Sequence, residues 1–387
     1  MVKKAQEELG KGMKFTVDSG LLNDALHWVS RSLSTRPTNS ALHGIVIEAG
    51  KEVHLSATDL ETSAKSHFSA DIQNQGKVLV PGKLLSDIAR ALPNKSVTFN
   101  LEGNRVQVTA GKSKFQLPII PNSEYPTLPT VPEESGTINT SLFTEAITQV
   151  AIAASKDDSL PKLTGIHIEV NEEKITLAAT DRYRLAVREL IWQPSSPGFT
   201  TTALMRARTL LDAAKAITAN HTLALSIAAP NASERLVGLA TEGKTMTTRV
   251  LDGEFPPFRH LLPSEVAAEA SINVTEFTEA IRRVSLVADK TIPLRLNLSS
   301  GLLLLEAGTG EDATANEEIE IKYNGEPLQI AFNPTFLTDG LSALSTPFVN
   351  ISFTAANRQA VLKGQNEKDS PKLDSYSYLI MPTRYAT

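Results

Sequence analysis

The sequence predicts an α+β fold made of three tandem copies of one domain, in which two helices pack on antiparallel sheets. Three observations lead to this prediction. The same amphipathic helical motif occurs three times, alternating strand-like segments lie between the helices, and proline-rich stretches separate the copies.

The composition is that of an ordinary globular protein, and it narrows the function. The chain has 387 residues and a formal net charge of −5, with 5% aromatic residues and no cysteine. The negative charge argues against a protein held on nucleic acid by basic contacts over its whole surface, and the few aromatics argue against a base-stacking platform. Without cysteine there are no disulfides and no thiolate metal sites.

The sequence predicts neither a membrane span nor a signal peptide. The longest apolar runs, such as Leu302–Leu305, fall far short of the ~18 residues that a spanning helix needs. The first twelve residues carry Lys3, Lys4 and Glu7 and have no apolar segment. We therefore expect a cytoplasmic protein, and we interpret residues 1–12 as a leader or tag.

The first helix of each copy has apolar residues at positions i, i+3, i+4 and i+7, one face of a helix. The second helix has an Asp with an apolar residue five positions later, as in Asp87 and Leu92, and Pro81 fits the start of that helix. The first motif occurs as Leu22/Ala25/Leu26/Val29, Phe143/Ala146/Ile147/Val150 and Phe277/Ala280/Ile281/Val284. Six helices of roughly 13–16 residues are expected within 21–36, 80–95, 141–156, 205–217, 275–290 and 332–344.

Strands are predicted where apolar and polar residues alternate, as in Val97–Leu101 and Ile166–Val170, with a hairpin turn at Glu102-Gly103-Asn104. Two strand ends match each other, Thr58-Asp59 and Thr180-Asp181. We favour Thr and Asp side chains that hydrogen-bond a turn, and a pair of reactive carboxylates is the alternative.

Proline-rich stretches at 118–132 and 256–263 resist both helix and central strand, so we place the domain boundaries there. The expected domains are residues 13–133, 134–264 and 265–387.

Motifs for phosphate or metal chemistry are weak. Gly308–Ala313 formally fits a dinucleotide fingerprint, but the alternating segment Glu317–Ile321 that follows predicts a strand, so we interpret the motif as a hairpin turn. The histidines, among them His54 and His167, lack metal-binding spacing. We predict no cofactor and no metal.

Two further features each allow two interpretations. The six helical windows carry 12 basic and 8 acidic residues, so they are net +4 and the rest of the chain is −9. This pattern fits either solvated helix faces or a basic lining that attracts a polyanion. The segment Tyr378–Arg384 is either the closing strand of the third domain or one wall of a peptide groove, with Pro382 ending the strand.

Five short motifs, in order along the chain, resemble the bacterial sliding clamp family, the beta subunits of DNA polymerase III, in an actinobacterial form. The resemblance covers residues 13 to 387. The motifs are Met13-Lys14-Phe15, Arg36-Pro37-Thr38, Ala179-Thr180-Asp181 with Arg184-Leu185, Asp252–Pro256, and Met381-Pro382 with Arg384.

The resemblance implies a non-enzymatic processivity factor. In this family two chains pair head to tail, so that six similar domains close a ring around double-stranded DNA and helices line the hole. Polymerase subunits, the clamp loader and repair proteins dock through short linear motifs, and no membrane is involved. By this analogy, Phe115 and Leu117 on an edge strand meet Leu286 of the partner subunit.

The resemblance also implies two sets of site residues. Apolar groove residues would bury the anchors of a peptide, and Arg184 and Arg384 would bind its polar or acidic ends, unless Arg184 forms an ion pair with Asp181 or Glu189. The candidate groove residues are Leu163, Thr180, Arg184, Leu185, Pro256, His260, Leu261, Asn333, Phe336, Leu379, Ile380, Met381, Pro382 and Arg384. The candidate DNA-facing residues are Arg36, Arg208, Arg206, Lys83, Arg90 and Arg282.

Two other functions stay open at this point: a repeat scaffold that binds only proteins, and an enzyme that uses Asp181. Many family members have Gly-His where Arg182-Tyr183 stand here, and Arg where His260 stands. The resemblance therefore implies the groove itself, but it does not fix the mouth of the groove or its peptide preference.

Overall fold

The structure is a computed structural model. It describes residues 12–34, 39–121, 125–217, 222–229, 232, 234–263, 265–287, 292–308 and 313–384, so the predicted leader lies outside the described residues except for Gly12. Two compact units are present. Unit 1 takes the chain up to Ser141 together with Trp192–Thr201 and Asp212–Val250, and unit 2 takes Leu142–Ile191, Thr202–Leu211 and the chain from Leu251 onward. Within the described residues, no helix is long and apolar enough to cross a membrane.

The described residues contain α-helices at all six predicted places, but each is shorter than predicted, with 9 to 12 residues. Helix α2 ends at Ala91 because Leu92 precedes Pro93 and takes an extended conformation. The helices are α1 (Ser19–Val29), α2 (Gly82–Ala91), α3 (Thr140–Ala151), α4 (Ala207–Ala216), α5 (Val274–Val284) and α6 (Pro334–Ser342).

Side-chain caps fix where three of these helices begin. The Asp18 carboxylate accepts hydrogen bonds from the backbone N–H groups of Gly20 and Leu21 at 2.8 and 3.2 Å, and so starts α1. Asn273 caps α5 in the same way, and Asn333 caps α6. Each cap satisfies N–H groups that have no partner inside the helix.

The strands divide into three sets of nine within the described residues, one set for each expected domain. The first set is β1 (Lys14–Val17), β2 (Gly44–Ala49), β3 (Val53–Thr58), β4 (Thr62–Phe68), β5 (Asp71–Asn74), β6 (Gly76–Pro81), β7 (Val97–Glu102), β8 (Arg105–Ala110) and β9 (Ser113–Pro118). The second set is β10 (Gly136–Asn139), β11 (Gly165–Asn171), β12 (Lys174–Thr180), β13 (Arg184–Ile191), β14 (Gln193–Pro194), β15 (Thr200–Arg206), β16 (Thr222–Ile227), β17 (Leu236–Thr241) and β18 (Lys244–Arg249). The third set is β19 (Ala268–Asn273), β20 (Leu294–Ser299), β21 (Leu302–Ala307), β22 (Ala315–Glu320), β23 (Lys322–Asn324), β24 (Leu328–Phe332), β25 (Phe348–Phe353), β26 (Ala360–Gln365) and β27 (Tyr376–Ile380).

All three sets pair by one rule, which confirms the threefold repeat. In each set the fifth, first, seventh, eighth and ninth strands form a five-stranded half-sheet in that order, and the fourth, third, second and sixth strands form a four-stranded one. Residues 309–312 of the Gly308–Ala313 motif, and with them the predicted turn, lie outside the described residues. The strand expected after the motif is confirmed, because β22 pairs antiparallel with β21.

Half-sheets of successive sets join edge to edge. In unit 1, β18 pairs antiparallel with β4, and the two half-sheets become one sheet of nine strands. In unit 2, β27 pairs with β13 and makes a second nine-stranded sheet. β9 is the ninth strand of the first set and β22 is the fourth strand of the third set. Neither has such a neighbour among the described strands.

The turns after β3 and β12 confirm the interpretation of the repeated Thr-Asp pair. Asp59 accepts hydrogen bonds from the backbone N–H groups of Glu61 and Thr62, and Asp181 accepts them from those of Tyr183 and Arg184. In each turn the residue after the Asp has a left-handed backbone, with φ of 80° at Leu60 and 81° at Arg182. A non-glycine residue is strained there, so the Asp bonds hold both turns in a costly conformation.

Candidate functional site

An apolar cluster lies on one face of the nine-stranded sheet of unit 2, where β13 meets β27. Leu185 of β13 is directly opposite Leu379 of β27, and Leu379 is opposite Val361 of β26. Ala178 and Val187 belong to the same cluster. Directly opposite residues share a face of a sheet, so the register gathers these side chains into one apolar surface.

The segment 251–263, which we call the unit 2 strap, crosses this face. Phe258 of the strap is a buried member of the apolar cluster, and Phe255 and Leu262 pack against it. The strap includes a short 3-10 helix at Arg259–Leu261. Sequence reasoning named Pro256, His260 and Leu261 in this segment, which are all exposed, and missed Phe258. The one signal for Phe258 was its apolar character inside a proline-rich stretch.

An aromatic and ionic cluster ties the strap to β11. The His167 ring stacks on Phe255 with 5.1 Å between ring centroids and meets Phe258 edge-on at 6.4 Å. Arg259 donates two hydrogen bonds to the Glu169 carboxylate, at 2.9 and 3.0 Å. Burial lowers the pKa of His167, and Glu169 partly opposes that shift. The neutral imidazole is therefore the form that packs best under the strap.

Two predicted groove residues lie on the other face of the same sheet. Arg184 is directly opposite Ile380, one position along from the Leu185–Leu379 pair, so both side chains point towards the helix-covered face. Ile380 is fully buried there. We correct its assignment: it is a core residue, because alternation along the strand separates it from its neighbour Leu379.

Arg184 is occupied by partners within the chain. Its Nε lies 2.9 Å from Asp181 and its Nη1 lies 2.5 Å from Asp339 of α6. The guanidinium also lies over the Phe336 ring, 4.4 Å from the centroid. The ion pair with Asp181 is thus confirmed, whereas Glu189 pairs with Lys174 instead. Arg184 is 5% exposed, so it holds β13 to α6 and does not offer its charge to a ligand.

The same contacts decide the other interpretation of Asp181. One of its carboxylate oxygens accepts from two backbone N–H groups of the turn, and the other accepts from Arg184. Both oxygens are therefore engaged in structure. Among the described residues, no group of three or more His, Cys, Asp or Glu side chains is arranged to hold a metal ion.

The open side of the cluster is formed by residues just beyond β27. The Met381 backbone N–H donates to the Tyr183 carbonyl at 2.8 Å, and the Met381 side chain is 39% exposed. The exposed Tyr183 ring stacks against Phe336, with 6.3 Å between centroids. Pro382 is half-buried and Arg384 is exposed.

The remaining predicted groove residues have mainly structural contacts. Thr180 donates from its hydroxyl to the Arg184 carbonyl at 2.6 Å, and Asn333 is engaged as the cap of α6. Leu163 is 8% exposed, at the end of a short 3-10 helix before β11. Thr180 and Asn333 are therefore engaged in structural hydrogen bonds, and Leu163 is buried.

The predicted DNA-facing residues fall in both units. In unit 1, Lys83 and Arg90 lie on the exposed side of α2, where Arg90 pairs with Asp87 at 2.9 Å. In unit 2, Arg208 and Arg282 are exposed on α4 and α5. Arg206 precedes α4, and its Nη1 lies 3.6 Å from Oδ1 of Asp158. Arg36 lies outside the described residues.

The predicted interface residues differ in exposure. β9 is an edge strand, as expected, and Phe115 on it is half-buried. Leu117 is fully buried in its own subunit, so we correct its role: it contributes to the core, and the strand offers a partner only its backbone there. Leu286 is 81% exposed after α5.

Comparisons with known proteins agree along the chain. Family models of the DNA polymerase III beta subunit match its N-terminal domain at residues 13–129, its central domain at 137–257 and its C-terminal domain at 259–384. The beta sliding clamp of Streptomyces coelicolor is 44% identical over 373 residues, which is 96% of this chain and 99% of the relative. The crystal structure of the Bacillus subtilis DNA polymerase sliding clamp superposes with a TM-score of 0.87 at 26% identity, over 97% of this chain and 100% of that one. A Pseudomonas aeruginosa sliding clamp bound to griselimycin gives the same TM-score, identity and coverage.

Proposed function

The chain belongs to the DNA polymerase III beta subunit family, the beta sliding clamps, and from that membership we propose how its residues work in a non-catalytic processivity factor. Two copies close a ring around duplex DNA. Partner proteins, among them polymerase subunits, the clamp loader and repair proteins, dock by short segments at the apolar cluster of unit 2. The protein acts in the cytoplasm.

The pairing rule of the strands is the observation that carries this proposal. A ninth strand joins a fourth strand twice within the chain, at β18–β4 and at β27–β13. The two equivalent strands left over are β9 and β22, which bear opposite charge: Lys114 on one, and Glu318 and Glu320 on the other. The same joint between two chains satisfies both edges, and a head-to-tail joint that closes makes a ring.

A closed ring stays on DNA because it encircles the duplex, and not because it binds the phosphates tightly. Phosphate contacts lose roughly 0.9 log units of affinity per contact for each log unit of salt. Exposed basic side chains on the helices, such as Lys83, Arg208 and Arg282, then need only guide the duplex. The rest of the chain has a net negative charge, which repels DNA from the outside of the ring, so DNA binds only when it passes through the hole.

Retention on closed circular DNA tests this mechanism. We expect the protein, loaded on a nicked plasmid, to resist a wash in high salt and to be released when the plasmid is cut once. Native mass spectrometry is expected to give the mass of two chains. Equal loss from circles and linear fragments at every salt concentration would contradict the proposal.

The groove is proposed to accept the apolar anchor of a partner's extended segment. Its floor is the cluster of Leu185, Val187 and Leu379, and its exposed rim includes Met381 and Leu261. A related clamp of this fold has been solved with griselimycin bound, which supports a ligand-binding surface in such proteins. We keep Pro256, His260, Phe336, Pro382 and Arg384 as rim residues of this groove.

Met381 is the sharpest probe of the groove because it is exposed and its removal leaves no cavity in the core. We expect Met381→Ala to weaken binding of a polymerase-derived peptide by about tenfold, measured by fluorescence anisotropy. Leu373→Ala is the matched control, since Leu373 in the same unit is also 39% exposed. An equal effect of both variants would place peptide binding elsewhere. Leu185→Ala is avoided, because Leu185 is 1% exposed and truncation would create a buried cavity.

A further inference from the structure

Unit 1 contains a cavity beside the place that corresponds to the groove of unit 2. The unit 1 strap, which we define as residues 125–135, crosses the outer face of the other nine-stranded sheet. Tyr125 packs on Val46 and Leu79 at one end, and Ser135 donates to the Leu225 carbonyl at the other. Between the strap and strands β2, β3, β4 and β6 lies a cavity of about 520 Å³. That volume is in the range of ligand sites.

The floor of this cavity is polar where its counterpart is apolar. The two Thr-Asp turns align the strands, so Ser56 and Lys65 in unit 1 stand where Ala178 and Val187 stand in unit 2. By the same alignment Ser63 and Thr247, which are buried and do not line the cavity, replace Leu185 and Leu379. The repeat has kept the architecture of the groove and changed its chemistry.

Lys65 supplies an uncompensated positive charge at this floor. It is exposed to the cavity and forms no ion pair with any residue that the structure describes. The other lysine of the cavity, Lys77, is neutralised by Glu48 at 2.9 Å. An acidic group on a ligand therefore has one obvious partner.

Apolar surface lies a fixed distance from that charge. Lys65, Ser56, Val46 and Leu79 are directly opposite one another across four successive strands. Val46 is thus two strand spacings, about 9.5 Å, from Lys65. Tyr125, which packs against the cluster that contains Val46, and Leu128 also line the cavity. The Tyr125 hydroxyl is buried and has no hydrogen-bond partner among the described residues.

We propose that this cavity binds a peptide segment in the polyproline II conformation, with an acidic residue and an apolar residue three positions later. A polyproline II helix has three residues per turn and advances about 3.1 Å per residue, so residues three positions apart lie on the same face about 9.3 Å from each other, which matches the distance from Lys65 to Val46. The acidic side chain pairs with Lys65, and the apolar side chain packs on Val46 and Leu128. The site is distinct from the groove of unit 2 and does not depend on it.

Fluorescence anisotropy with two labelled peptides tests the site in the full-length protein. The probe is Gly-Glu-Gly-Gly-Leu-Gly, and the comparison peptide, Gly-Gly-Glu-Leu-Gly-Gly, has the same composition with the two residues adjacent. We expect the probe to bind more tightly, and Lys65→Glu to weaken it by about tenfold or more. Lys95→Glu makes the same charge change at another exposed lysine of unit 1 and is expected to leave the affinity unchanged.

Three outcomes would overturn the proposal. The first is no saturable binding of the probe to the unaltered protein, and the second is an equal loss of affinity in Lys65→Glu and Lys95→Glu. The third is a loss of affinity in Met381→Ala, which would mean that the probe occupies the groove of unit 2. Lys65→Gln with an unchanged melting temperature separates loss of the site from loss of the fold.

Discussion

Arg184 shows how much the role of a residue depends on the face it occupies. Its sequence neighbours Leu185 and Tyr183 contribute to the apolar cluster and the exposed rim, whereas Arg184 itself points to α6. There it meets two carboxylates, from Asp181 and Asp339, under the Phe336 ring. Removing one member of a buried ion cluster leaves the other charges without compensation, which costs more than the cluster contributes.

We expect Arg184→Ala to lower the free energy of unfolding of unit 2 by about 3 kcal/mol, because Asp181 and Asp339 then face each other unpaired. Differential scanning calorimetry measures the change as a lower melting temperature. Arg188→Ala, four residues along the same strand, is the control and is expected to cost less than about 1 kcal/mol, since that side chain is partly exposed. Similar losses in both variants would argue against a special role for the cluster.

The sequence predicted residues whose role depends on local chemistry and missed those whose role depends on strand partners. The hydrogen bonds of Asp59 and Asp181 lie within four residues along the chain, so a repeated Thr-Asp pair was sufficient to predict them. The assignments of Ile380 and Leu117 failed because alternation gives two faces without saying which is covered. Only the pairing of β27 with β13, far apart in sequence, decides that question.

At the scale of elements, each strap is fixed by a few side chains. The unit 2 strap depends on His167, which is stacked on Phe255 and flanked by Glu169 and Arg259. Because burial lowers the pKa of His167, the folded state takes up a proton less readily than the unfolded chain. The stabilisation from this contact is therefore complete above the unfolded pKa of about 6.5 and is lost as the pH falls through the lower folded value.

Hydrogen exchange of the strap amides, followed from about pH 8 to about pH 5.5, measures this effect. After correction for the intrinsic pH dependence of exchange, we expect protection of residues 255–262 to fall with pH. His167→Gln, which cannot take up a proton, is expected to flatten that dependence, and His260→Gln, on the exposed side of the same strap, to leave it unchanged. A dependence that survives in His167→Gln would contradict the assignment.

The positions of the helices were predicted more reliably than their lengths. Hydrophobic periodicity located the six helices because their buried faces follow the helical repeat. The helix lengths were overestimated by about one turn. Capping residues and the residue before Pro93 determine where helices end, and hydrophobic periodicity does not show them. The Phe258 contact was missed because a proline-rich segment has no periodicity from which to infer a buried side.

For the whole molecule, the pairing rule predicts the register of the joint between two chains. Met246 of β18 is opposite Ala64 of β4, and the hairpins align Met246 with Phe115. Ala64 corresponds to Ala315, because Ala57 pairs with Ala64 and Ala307 with Ala315. Phe115 is then opposite Ala315 of the partner subunit, and Lys114 is opposite Asn316 of the partner subunit.

A disulfide tests that register directly, and the absence of native cysteine makes the result easy to interpret. Cα atoms of directly opposite residues are about 4.5–5.5 Å apart, within the span of a disulfide. We expect the double variant Lys114→Cys with Asn316→Cys to form covalent dimers on mild oxidation, seen on a non-reducing gel. Lys114→Cys with Glu320→Cys, displaced by four residues, is the control. Cross-linking in the control alone would mean a different register.

The pairing of β27 between β13 and β26 has a consequence for how the protein is made on the ribosome. β13 leaves the ribosome together with its neighbour β12 but long before its other neighbour, β27, which is the last strand of the chain. At roughly 5–20 residues per second, the edge of β13 waits on the order of 10–40 s for its partner. Through that interval the nascent chain presents an unpaired strand edge at β13, so synthesis speed and chaperone capture become determinants of how much active protein a cell obtains.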